Sequence, residues 1–244
     1  ACFFFRSLVR FNGLGGRNLE KFNIAIDGPA GAGKSTIARL VAGNLGFVYV
    51  DTGAMYRAVT WKILDEGLGD EQTAEMIALT KRTDIRLTPG ENGQTVFVDG
   101  RDVTGLIRTA EVTGNVSRVS SIGEIREVLT RKQKEMAAGK GVVMDGRDIG
   151  SHVLPNAEVK VFLTASVRIR AERRLREIAD TQPDVSLEQL MQDIAERDRM
   201  DEQREVSPLK RAPDAVLIDT TEMTIPEVVD RILELCKSRI GGGK

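Results

Sequence analysis

Among 244 residues there is one histidine, one tryptophan and two cysteines. Cys2 and Cys236 stand at opposite ends without Cys or His neighbours at ligand spacing, which argues against a disulfide framework and against a zinc site. A reducing, cytoplasmic setting is the natural expectation. The lone His152 lies beside the approach to an apolar strand, where histidine more often serves structure than catalysis. Charge of one sign is missing as well: 35 Lys plus Arg against 36 Asp plus Glu leave a formal net charge of -1. No global field therefore draws in nucleic acid or an anionic membrane, and any site for a polyanion has to be local. No apolar run approaches the roughly 20 residues that cross a bilayer. The expected partners are small molecules, with neither nucleic acid nor membrane among them, and nothing demands more than a monomer.

With 41% hydrophobic and 29% charged residues, the chain can bury a real core and reads as one domain with insertions. Residues 1–21 are set aside as an N-terminal extension outside the fold, because arginines interrupt the apolar stretch that a signal peptide keeps continuous. The domain is expected over 22–240, with 241–244 as a flexible glycine tail. Continuous apolar runs at Phe22–Asp27, Phe47–Asp51, Gly141–Asp145, Val159–Leu163 and Ala215–Asp219 have the character of strands buried on both faces. Helix-patterned sequence follows each, as with Ile37, Leu40, Val41 and Leu45 after the first. This alternation predicts an α/β fold: a doubly wound, five-stranded parallel sheet with helices on both faces, whose site lies beyond the carboxyl ends of the strands. Two segments break the rhythm. Residues 84–104 read as a small antiparallel β insert, and about 164–185, within a charged stretch reaching Lys210, as a helical, arginine-rich lid.

Gly28-Pro29-Ala30-Gly31-Ala32-Gly33-Lys34-Ser35 matches G-x-x-x-x-G-K-[ST] between a predicted strand and a predicted helix, the context this P-loop requires. Its glycines let the backbone curl so that several N–H groups meet one phosphate, aided by the positive end of the helix dipole. Lys34 supplies a point charge for the β- and γ-phosphates of ATP, and a hydroxyl, of Ser35 or of the adjacent Thr36, is placed to ligate Mg²⁺. A P-loop does not name the acceptor. The absence of an Asn-Lys-x-Asp run weakens a guanine-nucleotide switch, and the chain length weakens a motor.

Arginines narrow the choice. Arg197, Asp201 and Arg204 are spaced i, i+4, i+7, and Arg170, Arg173 and Arg174 i, i+3, i+4, so each set shares a helix face. The bland alternative is solvated faces paired with Glu172, Glu177, Glu196 and Glu202. Stacked cations instead suit a bound polyphosphate. An acceptor phosphate is already an oxyanion nucleophile, so transfer to it needs alignment and charge neutralisation more than a general base. A mobile arginine-bearing segment that closes over the site would also exclude water as a competing acceptor.

Four motifs in order carry a resemblance: Ile26 to Ser35, then Asp51-Thr52-Gly53-Ala54-Met55-Tyr56-Arg57, Asp145-Gly146-Arg147-Asp148-Ile149-Gly150 and Glu196-Arg197-Asp198. From about Ile24 to Ile240 the chain resembles the bacterial cytidylate kinases of the nucleoside monophosphate kinase family. The resemblance implies transfer of phosphate from ATP to CMP or dCMP. It implies that Arg57, Arg147 and Arg204 hold the acceptor phosphate, with Thr52 and Tyr56 lining the same pocket. Ser117, Arg126 and Asp148 would read cytosine: a carboxylate accepts from the exocyclic amine, where uracil presents a carbonyl. Arg197 and Asp201 would face the sugar, Asp145 would place Mg²⁺ through water, and Arg170, Arg173 and Arg174 would cover the ATP phosphates. The implied catalytic set is Lys34, Arg147, Arg173 and Arg204. Kinases of UMP, AMP or a shikimate-like alcohol, and a P-loop nucleotide switch, stand as the alternatives.

Overall fold

The computed structural model of the chain describes residues 21–90, 93–179 and 182–241. Residues 1–20 of the expected extension and 242–244 of the expected tail lie outside the described residues, while Gly241 closes the last helix. Strands β1 (Asn23–Asp27), β2 (Val48–Asp51), β6 (Val142–Gly146), β7 (Val159–Thr164) and β8 (Val216–Asp219) form one parallel sheet in the order β2-β6-β1-β7-β8. Each falls on one of the apolar runs read from sequence.

Every residue of the central β1 is buried, and alternation divides them between two cores. Ile24 and Ile26 join Ile37, Ala38 and Val41 of helix α1 (Lys34–Leu45) and Val228, Val229 and Ile232 of α8 (Ile225–Gly241) on one face. Ala25 faces the other side with Val50 and Met144, against Ala137 of α5 (Gly123–Ala137) and a π-helical turn, Ile149–Val153. Truncating a fully buried residue such as Ile26 to alanine is expected to destabilise by about 2–5 kcal/mol.

A second body grows out between β2 and β6. Helices α2 (Thr52–Asp65), α3 (Thr73–Arg82) and α4 (Ala110–Ser121) share a core with α5 and with an antiparallel sheet of β3 (Ile85–Gly90), β4 (Gly93–Val98) and β5 (Arg101–Asp102). The Gln94 side-chain amide ties that insert to the free edge of β2: its Oε1 accepts from Asp51 N at 3.0 Å and its Nε2 donates to Tyr49 O at 2.5 Å. An edge strand otherwise left open is thereby covered. The segment expected as a lid holds a pair of helices, α6 (Val167–Ile178) and α7 (Leu187–Gln203), with its own small core of Ala171, Ile178, Leu190 and Ile194.

Candidate active site

At the carboxyl end of β1 the chain turns through Gly28–Gly33 into α1. Gly28 has φ 150°, and a Cβ there would lie 2.0 Å from the Leu163 carbonyl oxygen, so no side chain fits where the loop passes β7. Gly33, φ 81°, holds the N-cap position of α1 and no side chain caps it. The first amides of the helix and the positive end of its dipole are thus left to an anion. Lys34 is buried with Nζ donating to Pro29 O at 2.7 Å. Burial, then the nearby Arg147, hold it well below the usual lysine range.

Beside the loop, Ser35 Oγ donates to Asp145 Oδ2 at 2.9 Å, and Tyr49 Oη donates to Oδ1 at 3.1 Å. It is Ser35 that meets this carboxylate. Burial, then the charge of Asp51, lift Asp145 above the usual carboxylate range, which a cation would reverse. No cluster of three or more acidic, His or Cys side chains forms a metal cage among the described residues. A hydroxyl and one carboxylate suit Mg²⁺, which takes the rest of its shell from water and substrate phosphates. Thr52 Oγ1 donates to the Asp145 carbonyl at 2.7 Å, so its hydroxyl braces the strand end.

Arg170, expected to cover the ATP phosphates, finds partners within the protein. It is buried beneath the loop, with Nε donating to Ala165 O at 2.9 Å and Nη1 to Ala30 O at 2.9 Å and to Asp198 Oδ2 at 2.6 Å. Asp198 Oδ1 in turn accepts from Ala30 N at 3.3 Å. The cause is the packing of α6 on α7, which buries Ala171 and carries its neighbour Arg170 inward. Arg173 lies at the mouth of the loop, held by Thr220 O at 2.7 Å and Thr220 Oγ1 at 3.0 Å. Arg174 pairs with Glu177 at 3.2 Å while its charge still bears on Arg57 and Arg197.

The arginines expected around an acceptor phosphate lie close to one another. Arg57 Nη1 donates to Thr113 Oγ1 at 2.8 Å and Ile107 O at 3.3 Å; Arg147 Nε donates to Asp201 Oδ2 at 2.8 Å. Arg204 Nε donates to Ser207 O at 2.6 Å, and its head lies 3.9 Å from Asp201 and 3.8 Å from Asp148. Burial, then Arg197, Arg108 and Arg174, push Arg57 down to about 9; burial, then Arg147, push Arg197 to about 10. Although burial opposes it, Arg147 and Arg197 hold Asp201 below the usual carboxylate range. Arg197 Nε and Arg204 Nη2 are buried without an acceptor. Guanidinium groups that repel one another, two of them with a buried nitrogen short of an acceptor, suit an anion.

Next to it, Asp148 Oδ2 accepts from Arg126 Nη2 at 2.6 Å, and the Arg126 head also donates to Ser120 O at 3.2 Å and stands 5.2 Å from the Tyr56 ring centroid. Both partners of the pair are buried, and Arg126 Nε and the Tyr56 hydroxyl have no hydrogen-bond partner. Ser117 lies half-buried on α4, its carbonyl taken by Ser120 Oγ at 3.0 Å. Sequence reasoning missed Tyr49, Asp198, Thr220 and Arg108, which pairs with Asp51 at 3.2 Å. For Tyr49 a signal existed: with β2 beside β6, alternation places Tyr49, Asp51 and Asp145 on one face of the sheet.

Comparison with known proteins decides the family, since the cytidylate kinase family model matches residues 24–238. The chain belongs to the cytidylate kinase family. Among members of that family, "Cytidylate kinase" of Exiguobacterium sibiricum is 54% identical over 222 residues, covering 91% of this chain and 100% of that protein. "Cytidylate kinase" of Bacillus subtilis (strain 168) is 50% identical over 220 residues, 90% of this chain and 98% of that one. A solved structure of an uncharacterized protein from Eubacterium ventriosum is 11% identical with a TM-score of 0.51, over 89% of this chain and 99% of that one. At that identity the likeness is one of fold alone.

Proposed function

We propose that this chain transfers the γ-phosphate of ATP to CMP or dCMP, giving ADP and CDP or dCDP. The observation that carries the reading is the buried Asp148–Arg126 pair standing beside Arg204, whose Nη2 lacks an acceptor, while the charges of Arg147 and Arg197 bear on Lys34 of the P-loop. The loop amides and Lys34 hold the donor phosphates. Arg57, Arg147 and Arg204 hold the phosphate of the acceptor, and Arg197, expected from the resemblance to face the sugar, is proposed to join them because its buried Nε lacks an acceptor and its charge bears on Lys34 and Arg57. One oxygen of that phosphate attacks the γ-phosphorus in line as the bond to the ADP oxygen breaks. No general base is required, because that oxygen is already ionised. The Asp148 carboxylate accepts from the exocyclic amine of cytosine and would meet a carbonyl oxygen in uracil, a mismatch that can cost on the order of 10⁴ in kcat/KM. Ser35, and Asp145 through water, would hold Mg²⁺, which when bound would neutralise charge on the donor phosphates. Arg173 stands where it can join the transferring phosphate, and closure of α6 and α7 would exclude water.

A coupled ADP-release assay across CMP, dCMP, UMP and AMP tests this. CMP and dCMP are expected to drive turnover and UMP and AMP to fall far behind. Turnover without any acceptor would replace the reading with a nucleotide switch, and a preference for AMP would replace the acceptor.

A further inference from the structure

An aspartate ahead of a helical turn ordinarily caps it, its carboxylate accepting from the first free backbone N–H groups. Asp148 occupies that place before the π-helical turn Ile149–Val153, at φ -141° and ψ 25°, yet its side chain makes no cap bond. The two amides are satisfied from another strand. Ile149 N donates to Asp27 Oδ1 at 2.7 Å and Gly150 N donates to Asp27 Oδ2 at 2.7 Å. Asp27 is buried at 3% exposure, ends β1 opposite Gly146, and immediately precedes the first glycine of the P-loop. Each of its two oxygens accepts a backbone N–H, as a carboxylate does, while burial lifts its pKa to about 6.

We infer that Asp27 is a positioning residue for base recognition: by capping the turn after Asp148 from the neighbouring strand, it leaves the Asp148 carboxylate free to face cytosine. The inference rests on the proposed CMP specificity. Both Asp148 oxygens are available as a result, Oδ2 for Arg126 at 2.6 Å and Oδ1 toward Arg204 at 3.8 Å. Without Asp27 the two amides would be buried donors short of an acceptor, and Asp148 is the nearest carboxylate in sequence that could turn back to take them. A π-helical turn, rare and concentrated at functional sites, fits such an arrangement.

The test is Asp27→Asn. This variant keeps the volume but turns one N–H of its amide toward a backbone N–H. The CMP-over-UMP ratio of kcat/KM is expected to fall about tenfold, mainly through the KM for CMP, while the KM for ATP stays within about twofold. Gly150→Ala supplies a second approach: its Cβ would come 3.3 Å from Asp27 Oδ2 and 3.2 Å from Lys160 Cδ, loosening the same cap without changing a charge. Its ratio should fall in the same direction, and it decides the matter if Asp27→Asn is not recovered folded. An unchanged ratio in the folded variants, or equal losses for ATP and CMP, overturns the inference and makes Asp27 a support of the P-loop alone. A wild-type protein that does not prefer CMP to UMP would instead undo the functional reading beneath it.

Discussion

One continuous run, Gly28 to Thr36, makes the proposed donor loop, whereas the proposed acceptor pocket draws Arg57 from α2, Arg147 and Asp148 from the turn after β6, Arg126 from α5, and Arg197 and Arg204 from α7 and its end. The loop grips with main-chain amides whose direction is set by glycine torsions and a helix start. The pocket grips with side chains held apart by carboxylates: Asp201 steadies Arg147, and Asp148 steadies Arg126. A local grip survives loss of distant contacts. A dispersed one depends on each fork being held before the anion arrives.

Three substitutions sharpen that contrast. Lys34→Met should leave the fold and the acceptor pocket intact and lower kcat by about 10³-fold or more, read by ADP release with saturating CMP, since a cation on the transferring group is worth that much. Retention of near wild-type kcat would show that the loop amides suffice without the lysine. Asp148→Asn should lower kcat/KM for CMP by about 10³-fold while the calorimetric affinity for ATP changes by less than about twofold. Parallel loss of both affinities would mean that donor and acceptor grips are not separate. Arg170→Met removes one half of a buried pair and strands Asp198, so it should lower stability by about 3 kcal/mol in a denaturant melt. Its surviving folded fraction is expected to keep its KM for CMP, because Arg170 touches the loop from beneath. A stable variant with lost ATP binding would return Arg170 to the phosphates.

The same contrast explains what could be read in the sequence. The P-loop and the five strands were legible because each strand is a continuous apolar run and the loop is contiguous, although only the inner strands are buried on both faces and the edge strands β2 and β8 leave Val48 and Leu217 exposed. Helical spacing singled out Arg197 and Arg204 as suited to an anion, but Arg57, Arg126 and Arg147 entered only through a resemblance, since nothing in their spacing says that they meet. Helical spacing placed Arg170 with Arg173 and Arg174 but could not say which would be turned under the loop; that depends on where Ala171 packs against α7. Asp27 was invisible as a cap because its partners, Ile149 and Gly150, lie far along the chain. Only the pairing of β1 with β6 brings them together.

The convergence of guanidinium forks on an acceptor phosphate is tested most directly by calorimetry with CMP and with cytidine, in the wild type and in Arg197→Met. CMP should bind at least about 10²-fold more tightly than cytidine, and Arg197→Met should shrink that gap by about tenfold while leaving cytidine nearly unaffected, as expected for losing charged hydrogen bonds to one phosphate. Equal affinity for CMP and cytidine in the wild type, or a gap that Arg197→Met leaves untouched, would contradict a pocket built by these arginines around the second anion.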